Sequence, residues 1–332
     1  MGKIKDRYSR QYIIKRLIGT VTVYISAVFI IFIIPHLMPG NIAYAFVSRI
    51  IASNPNMSYQ QALNVIERQY GLNLPITTQL SIYLKNVFLT FPPNFGKSFE
   101  FFPSSAMGLV LRALPFTLLL IGISQGIAWS LSIFLGVFLA LRKNKKIDKT
   151  SVPSLYFVNS IPIFWLAMVM ILVFSVEIHI LPSSVSVSYG SPFGMILYAL
   201  AFPILIVVIS TIPNHTLIIR SATIDFLKSD FVIALRAEGL KNSTLTMKLI
   251  KNSLLPSITQ FFMQFGYLIG GIFIIESLFS LPGMGTVIIT AATNYDYPVL
   301  EAGLFVTSVV MILANLGADL IYPLLDPRVS YV

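Results

Sequence analysis

Cysteine is absent from the 332-residue chain, which excludes disulfide staples, thiolate metal sites and a cysteine nucleophile but does not identify a compartment. Charge is scarce too. Only 11% of the residues are Asp, Glu, Lys or Arg, against about 25% in soluble globular domains. Acidic residues are the rarer sign, 13 against 23 basic, for a net charge of +10. The three histidines, at 36, 179 and 215, have no ligand spacing, which argues against a metal-dependent intramembrane enzyme. What fills the chain instead is apolar side chain, 56% of all residues.

That apolar content is gathered into six runs, residues 17–37, 114–141, 152–176, 195–219, 261–281 and 300–324, and every Lys and Arg falls outside them. Each run matches or exceeds the roughly 20 residues a helix needs to cross a bilayer core. An outer-membrane barrel would alternate polarity over segments of about 10 residues, and these runs do not alternate. The expected fold class is an all-α integral membrane protein with six transmembrane helices. The first run is longer than a signal-peptide core of about 7–15 residues. It ends in Ile34-Pro35-His36-Leu37-Met38-Pro39-Gly40, which is no small-residue cleavage site, so it reads as a span. The basic excess lies in short loops between spans, where membrane orientation explains it better than nucleic acid does.

With the N-terminus in the cytoplasm, 18 of the 23 basic residues are inside and five outside, Arg49, Arg68, Lys85, Lys97 and Arg112. Short loops count most in this asymmetry, and residues 142–151 alone hold five basic side chains. Both termini are therefore expected to be cytoplasmic in a multi-pass protein of the cell membrane. The organisation that follows is residues 1–37, a cytoplasmic N-terminus and first span; 38–113, an extracytoplasmic helical segment; 114–325, a five-helix core with a cytoplasmic loop at 220–260; and 326–332, a cytoplasmic C-terminus. Within the outer segment, Ser58 is placed to cap a helix over Tyr59–Tyr70 that Gly71 ends, and Pro75 opens a second amphipathic run to Leu89.

The inner loop carries the most informative pattern. Asp230-Phe231-Val232-Ile233-Ala234-Leu235-Arg236-Ala237-Glu238-Gly239-Leu240 reads as a helix stopped at Gly239, which suits a left-handed C-terminal cap. A second helix runs from a cap at about Ser243 through Asn252 to Leu255-Pro256. Taken alone, this helix–turn–helix could also be an amphipathic hairpin on the membrane surface.

With Ala234, Ala237, Gly239 and Leu255-Pro256 in that order, the loop resembles that of the permease subunits of binding-protein-dependent ABC importers, in their dipeptide and oligopeptide branch. The 17-residue step from Gly239 to Pro256 is close to the long interval of that branch. Further stretches agree: Leu37-Met38-Pro39-Gly40, Tyr70-Gly71-Leu72-Asn73-Leu74-Pro75, Gly96-Lys97-Ser98, Ser160-Ile161-Pro162-Ile163-Phe164-Trp165-Leu166, Glu276 through Gly285, Asp296-Tyr297-Pro298, Asp319-Leu320-Ile321-Tyr322 and Leu325-Asp326-Pro327-Arg328. The resemblance covers nearly the whole chain. It departs at Ile233, where the broader signature starts with an acidic residue, and at Leu235 and Glu238, where the branch usually has Ala and Lys.

The resemblance implies a MetI-like permease bundle with a cytoplasmic coupling helix pair, importing di- or oligopeptides and acting as a transport subunit rather than an enzyme. The implied partners are a second permease chain, generally a different one in this branch, two ATP-binding subunits and an extracytoplasmic solute-binding protein. No cofactor is expected on this chain; ATP and Mg belong to the partner subunits. Gly96-Lys97-Ser98 mimics the end of a phosphate-binding loop, but Phe91 stands where its leading glycine is required. The residues implied in ATPase coupling are Asp230, Ala234, Arg236, Ala237, Glu238, Gly239, Leu240, Asn252, Leu255 and Pro256. Glu276, Asn315 and Asp319 are ionisable or polar groups within spans, hence pathway or inter-helix candidates, and Asn315 and Asp319 share a helical face. Oligosaccharides or a nickel chelate are alternative cargoes for the same machinery. A secondary transporter is the alternative of another class, and it would show a mid-membrane ion site and internal repeats.

Overall fold

The computed structural model describes residues 10–37, 47, 51, 56–71, 73–230, 232, 258, 261 and 270–325. Nine α-helices are built there: α1 (Arg10–Leu37), α2 (Tyr59–Tyr70), α3 (Ile76–Phe88), α4 (Ala106–Leu141), α5 (Lys146–Asn159), α6 (Ile163–Ile171, continued by a π-helical turn Leu172–Glu177), α7 (Phe193–Leu227), α8 (Met284–Thr293) and α9 (Tyr297–Leu325). A further helical stretch covers 270–278.

Four of these are long and apolar enough to cross a membrane: residues 16–37 of α1, α4, α7 and residues 297–318 of α9. They contain the first, second, fourth and most of the sixth runs read from the sequence. The third run differs. It is not one continuous span but α5 and α6, bent by 94° at residues 160–162. Proline sets the break: Pro162 has no N–H to continue the ladder, and its ring pushes Ile161 out of helical geometry. The chain turns through Ser160 N–H to the Tyr156 carbonyl (3.1 Å) and Ile161 N–H to the Val158 carbonyl (3.1 Å), and α6 restarts with Leu166 N–H on the Pro162 carbonyl (3.0 Å). Of the fifth run, residues 270–278 are helical and 262–269 lie outside the described residues.

The segment between α1 and α4 follows its local signals. Ser58 and Gln61 form a reciprocal capping box at the start of α2, satisfying two end donors at once, and Gly71 closes α2 at φ +67°. Pro75 precedes α3.

α4 and α7 lie along each other more extensively than any other pair of described elements; α1 and α8 pack on α9, while α5 and α6 pack on α7. One apolar cluster joins α1, α3, α4, α8 and α9 through Val28, Tyr83, Phe95, Val110, Ala302 and Phe305. A second joins α4, α6, α7 and 270–278 through Leu120, Ala167, Ile206, Ile275 and Phe279, with Phe202 and Phe279 edge to face at 5.3 Å. Between helices in lipid the hydrophobic effect supplies little, so close dispersion contact and inter-helix hydrogen bonds hold such pairs. The α4–α7 seam has both: Ser132 Oγ donates to the Ile212 carbonyl at 3.1 Å, and buried His215 Nε2 lies 3.0 Å from Gln125 Oε1.

Candidate functional site

The break between α5 and α6 opens a cavity of about 660 Å³. Its walls are Asn159 and Ser160 at the end of α5, Pro162 and Phe164 across the break, Ser210, Thr211 and Asn214 on one face of α7, and Gly271 and Ile274 from the 270–278 helix. The described lining contains no Lys, Arg, Asp or Glu. Its hydroxyls are held in place by their own helices: Ser160 Oγ donates to the Tyr156 carbonyl (2.9 Å), Ser210 Oγ and Thr211 Oγ1 to the Val207 carbonyl (2.9 and 2.7 Å). Oxygen lone pairs therefore remain available to a solute. The Asn159 and Asn214 amides make no hydrogen bond among the described residues, and each offers two donors and an acceptor. Chemically this is a neutral hydrogen-bonding surface set between apolar helices, and it contains no catalytic pair.

Two polar tethers lie elsewhere. In the first, Glu276 is fully buried and turned towards the 281–285 turn rather than the cavity, where its Oε2 accepts the Gly285 N–H at 2.6 Å. The Leu281 N–H returns to the Glu276 carbonyl at 2.8 Å, and the Met284 N–H donates to Thr117 Oγ1 of α4 at 2.9 Å. Glycine is needed at 285, where a Cβ would run into the Phe273 backbone, while a Cβ at 283 would displace the Glu276 carboxylate. The stretch from Glu276 to Gly285 is thus a turn built around its own carboxylate.

The second tether joins two motifs that the sequence left separate. Buried Ser98 donates its hydroxyl to Asp296 Oδ2, and the Glu100 N–H donates to the same oxygen at 3.0 Å. Ser98 Oγ also accepts the Phe101 N–H at 2.8 Å. Gly96-Lys97-Ser98 is therefore engaged with Asp296-Tyr297-Pro298 at the head of α9, with Lys97 Nζ 5.1 Å from the centre of the Phe102 ring.

A third feature joins the C-terminal part of α7 to the start of α5. Arg220 grips Asp148 with two bonds, Nε to Oδ1 at 2.7 Å and an Nη to Oδ2 at 2.8 Å, and Oδ2 also accepts the Asn144 N–H at 3.0 Å. The Arg220 guanidinium, helped by that amide and opposed by burial, holds the Asp148 carboxyl below the usual carboxylate range.

Of the coupling residues read from the sequence, Asp230 is exposed just beyond α7; Ala234, Arg236, Ala237, Glu238, Gly239, Leu240, Asn252, Leu255 and Pro256 lie outside the described residues. Asn315 is exposed on α9, and the side chain of Asp319 lies outside the described residues. Sequence reasoning passed over Asn159, Asn214 and the Asp148–Arg220 pair. Asn214 carried a signal, a polar amide inside an otherwise apolar run, whereas the partner of Asp148 lies 72 residues away and no local pattern names it.

Residues 132–331 match the family described as the binding-protein-dependent transport system inner membrane component. The chain is 30% identical to the oligopeptide transport system permease protein AppB of Bacillus subtilis (strain 168) over 323 residues, 96% of this chain and 99% of the relative. It is 30% identical to the glutathione transport system permease protein GsiC of Escherichia coli (strain K12) over 322 residues, covering 96% and 99%. It is 29% identical to the metal-staphylopine import system permease protein CntB of Staphylococcus aureus (strain NCTC 8325 / PS 47) over 318 residues, covering 96% and 97%.

Proposed function

Because the chain belongs to the family of inner membrane components of binding-protein-dependent transport systems, we propose that it forms one half of the translocation pathway of an importer for di- and oligopeptides. The observation that carries the cargo reading is the end-to-end similarity to an oligopeptide permease and to a permease for glutathione, itself a tripeptide. A second permease chain, different from this one, completes the pathway. Two ATP-binding subunits hydrolyse Mg-ATP, and a solute-binding protein delivers the peptide from outside. Both termini face the cytoplasm, which places residues 38–113 outside, 326–332 inside, and the 220–260 loop on the ATPase side.

In this reading the helix pair around Gly239 docks on an ATPase subunit, through Asp230, Ala234, Arg236, Ala237, Glu238, Gly239, Leu240, Asn252, Leu255 and Pro256. Closure of the ATPase dimer displaces the pair, and α7 carries that displacement to the cavity wall at Ser210–Asn214. Two properties of the cavity suit passage rather than storage. Amides and hydroxyls replace the water hydrogen bonds that a peptide backbone gives up, and the absence of fixed charge from the described lining leaves no deep trap for a zwitterion. Transit requires a site that a solute can leave as readily as it enters. Discrimination between cargoes then falls to the binding protein.

The metal-staphylopine relative supports a second reading, in which the cargo is a metal chelate. Proteoliposomes of the chain with its co-purifying subunits separate the two, tested for ATP-driven uptake of a labelled dipeptide and of a nickel chelate. Uptake of the peptide alone, weakened in Asn214→Leu, supports the first reading; uptake of the chelate alone selects the second. Uptake without ATP would remove both.

A further inference from the structure

A second cavity, of about 290 Å³, lies between the end of α1, α3, residues 94–99 and the head of α9. Phe32, His36, Tyr83, Asn86, Phe95 and Glu301 are among its walls. Neither the transport reading nor the family match uses it.

Most of its polar groups are already engaged. His36 Nδ1 bonds the Phe32 carbonyl at 2.7 Å and its Nε2 lies 3.2 Å from Gln79 Oε1. Gln79 Nε2 donates to the Leu74 carbonyl at 2.9 Å, the Tyr83 hydroxyl to the Val28 carbonyl at 3.2 Å, and Asn94 Oδ1 accepts the Gly96 N–H at 2.9 Å. The Glu301 carboxylate, in the second turn of α9, has no hydrogen-bond or ion-pair partner among the described residues, and the described lining contains no Lys or Arg. The Asn86 side-chain amide is likewise unengaged there. Five phenyl or phenol rings share the lining, those of Phe32, Tyr83, Phe95, Phe99 and Tyr297, with Phe32 and Tyr83 centred 5.3 Å apart and Tyr83 and Phe95 6.0 Å apart.

A carboxylate without a counter-ion among aromatic walls constrains what can enter. An anion is repelled, and a neutral ligand brings no counter-charge to the carboxylate. A metal ion would need more ligands than one carboxylate, and the described residues hold no group of three or more acidic or imidazole side chains. An ammonium group satisfies both features, as counter-ion to Glu301 and through cation–π attraction to the rings.

We propose that this cavity binds its ligand through a primary ammonium group, with Glu301 as the counter-ion, Asn86 as an additional acceptor, and Phe32, Tyr83 and Phe95 as the walls. The site lies where α1 and α9 reach the extracytoplasmic boundary in the orientation proposed above, so the ammonium can come from a phosphatidylethanolamine headgroup or from a free amine. The proposal does not depend on the cargo.

The test uses the full-length chain, purified with its co-purifying subunits into phosphatidylglycerol nanodiscs and titrated with 2-phenylethylamine and with 2-phenylethanol, which has similar shape but no charge. The amine should bind saturably, the alcohol at least tenfold more weakly, and Glu301→Gln should weaken amine binding at least tenfold. In nanodiscs that also contain phosphatidylethanolamine, native mass spectrometry assigns the source. Retention of that lipid by the wild type but not by Glu301→Gln identifies the headgroup; amine binding without retention identifies a soluble amine. Equal binding of amine and alcohol, or undiminished amine binding by Glu301→Gln, overturns the proposal. Should that variant fail to fold, Asn86→Leu serves: it should weaken amine binding severalfold, and wild-type binding by it counts equally against the site.

Discussion

Replacing Asp148 with Asn leaves the Arg220 guanidinium where it is and removes the charge that compensates it. The two side chains are only 5% and 19% exposed, so solvent screens the loss poorly. Breaking a buried pair from one side costs about 3–5 kcal/mol, whereas exchanging both partners for apolar residues of similar size is often close to neutral. Three quantities follow. Asp148→Asn should lower the thermal midpoint of the detergent-solubilised protein by roughly 6–10 °C, taking about 2 °C per kcal/mol for a long chain. Arg220→Met should do the same from the other side. The double variant Asp148→Leu/Arg220→Met should recover most of the loss, because the cost of each single variant is the orphaned charge rather than the missing bond. The pH dependence has a definite sign. A carboxyl held below its unfolded value stabilises the protein above about pH 3.9 and loses that contribution as pH falls through the lowered folded value. The gap between wild type and Asp148→Asn should therefore be constant from pH 8 to 5 and close only in stronger acid. Thermal-shift measurement of the four proteins at pH 7, repeated from pH 8 down to about pH 2, well below the unfolded carboxyl value, checks this. A double variant as unstable as the sum of the singles, or an Asp148→Asn midpoint equal to wild type, refutes the reasoning.

Ser98→Ala should destabilise by about 1.5–3 kcal/mol, the range for a hydrogen bond to a charged group, and should expose residues 97–105 to limited proteolysis; an unchanged digestion pattern counts against the tether to Asp296. Gly285→Ala should abolish folded yield, since a Cβ there meets the Phe273 backbone, and a monodisperse elution profile at wild-type yield would contradict that. Gly239→Val should leave the protein inserted but separate ATP hydrolysis from uptake, because a β-branched side chain resists a left-handed helix stop; normal transport removes the coupling role. A tag within 142–151 should be inaccessible from outside intact cells and one within 53–58 accessible, and the reverse labelling would overturn the orientation.

What was legible in the sequence was whatever depends on neighbours along the chain. A helix in lipid must satisfy its own backbone, so its length and freedom from charge are visible in any window of about 20 residues; α1, α4, α7 and α9 follow. The Ser58 cap and the Gly71 stop act over three or four residues, and α2 was readable to the residue. The family resemblance rests on short motifs in order, and the family match over residues 132–331 and the similarity to relatives along 96% of the chain agree with it.

Tertiary structure decided the remainder, because the decisive partners are distant in sequence or depend on shape. Residues 152–176 read as one span, and only the fold shows the chain breaking at Pro162, its two halves diverging by 94° and opening a cavity against Ser210 and Asn214. Ser98 found Asp296 across 198 residues, and Arg220 found Asp148 across 72. Glu276 had the same signature as a pathway residue until its burial and the close approach of Gly283 and Gly285 placed it inside a turn. An ionisable residue in an apolar run states only that a partner is required; the fold supplies the partner, since only the packed helices bring donor and acceptor within reach.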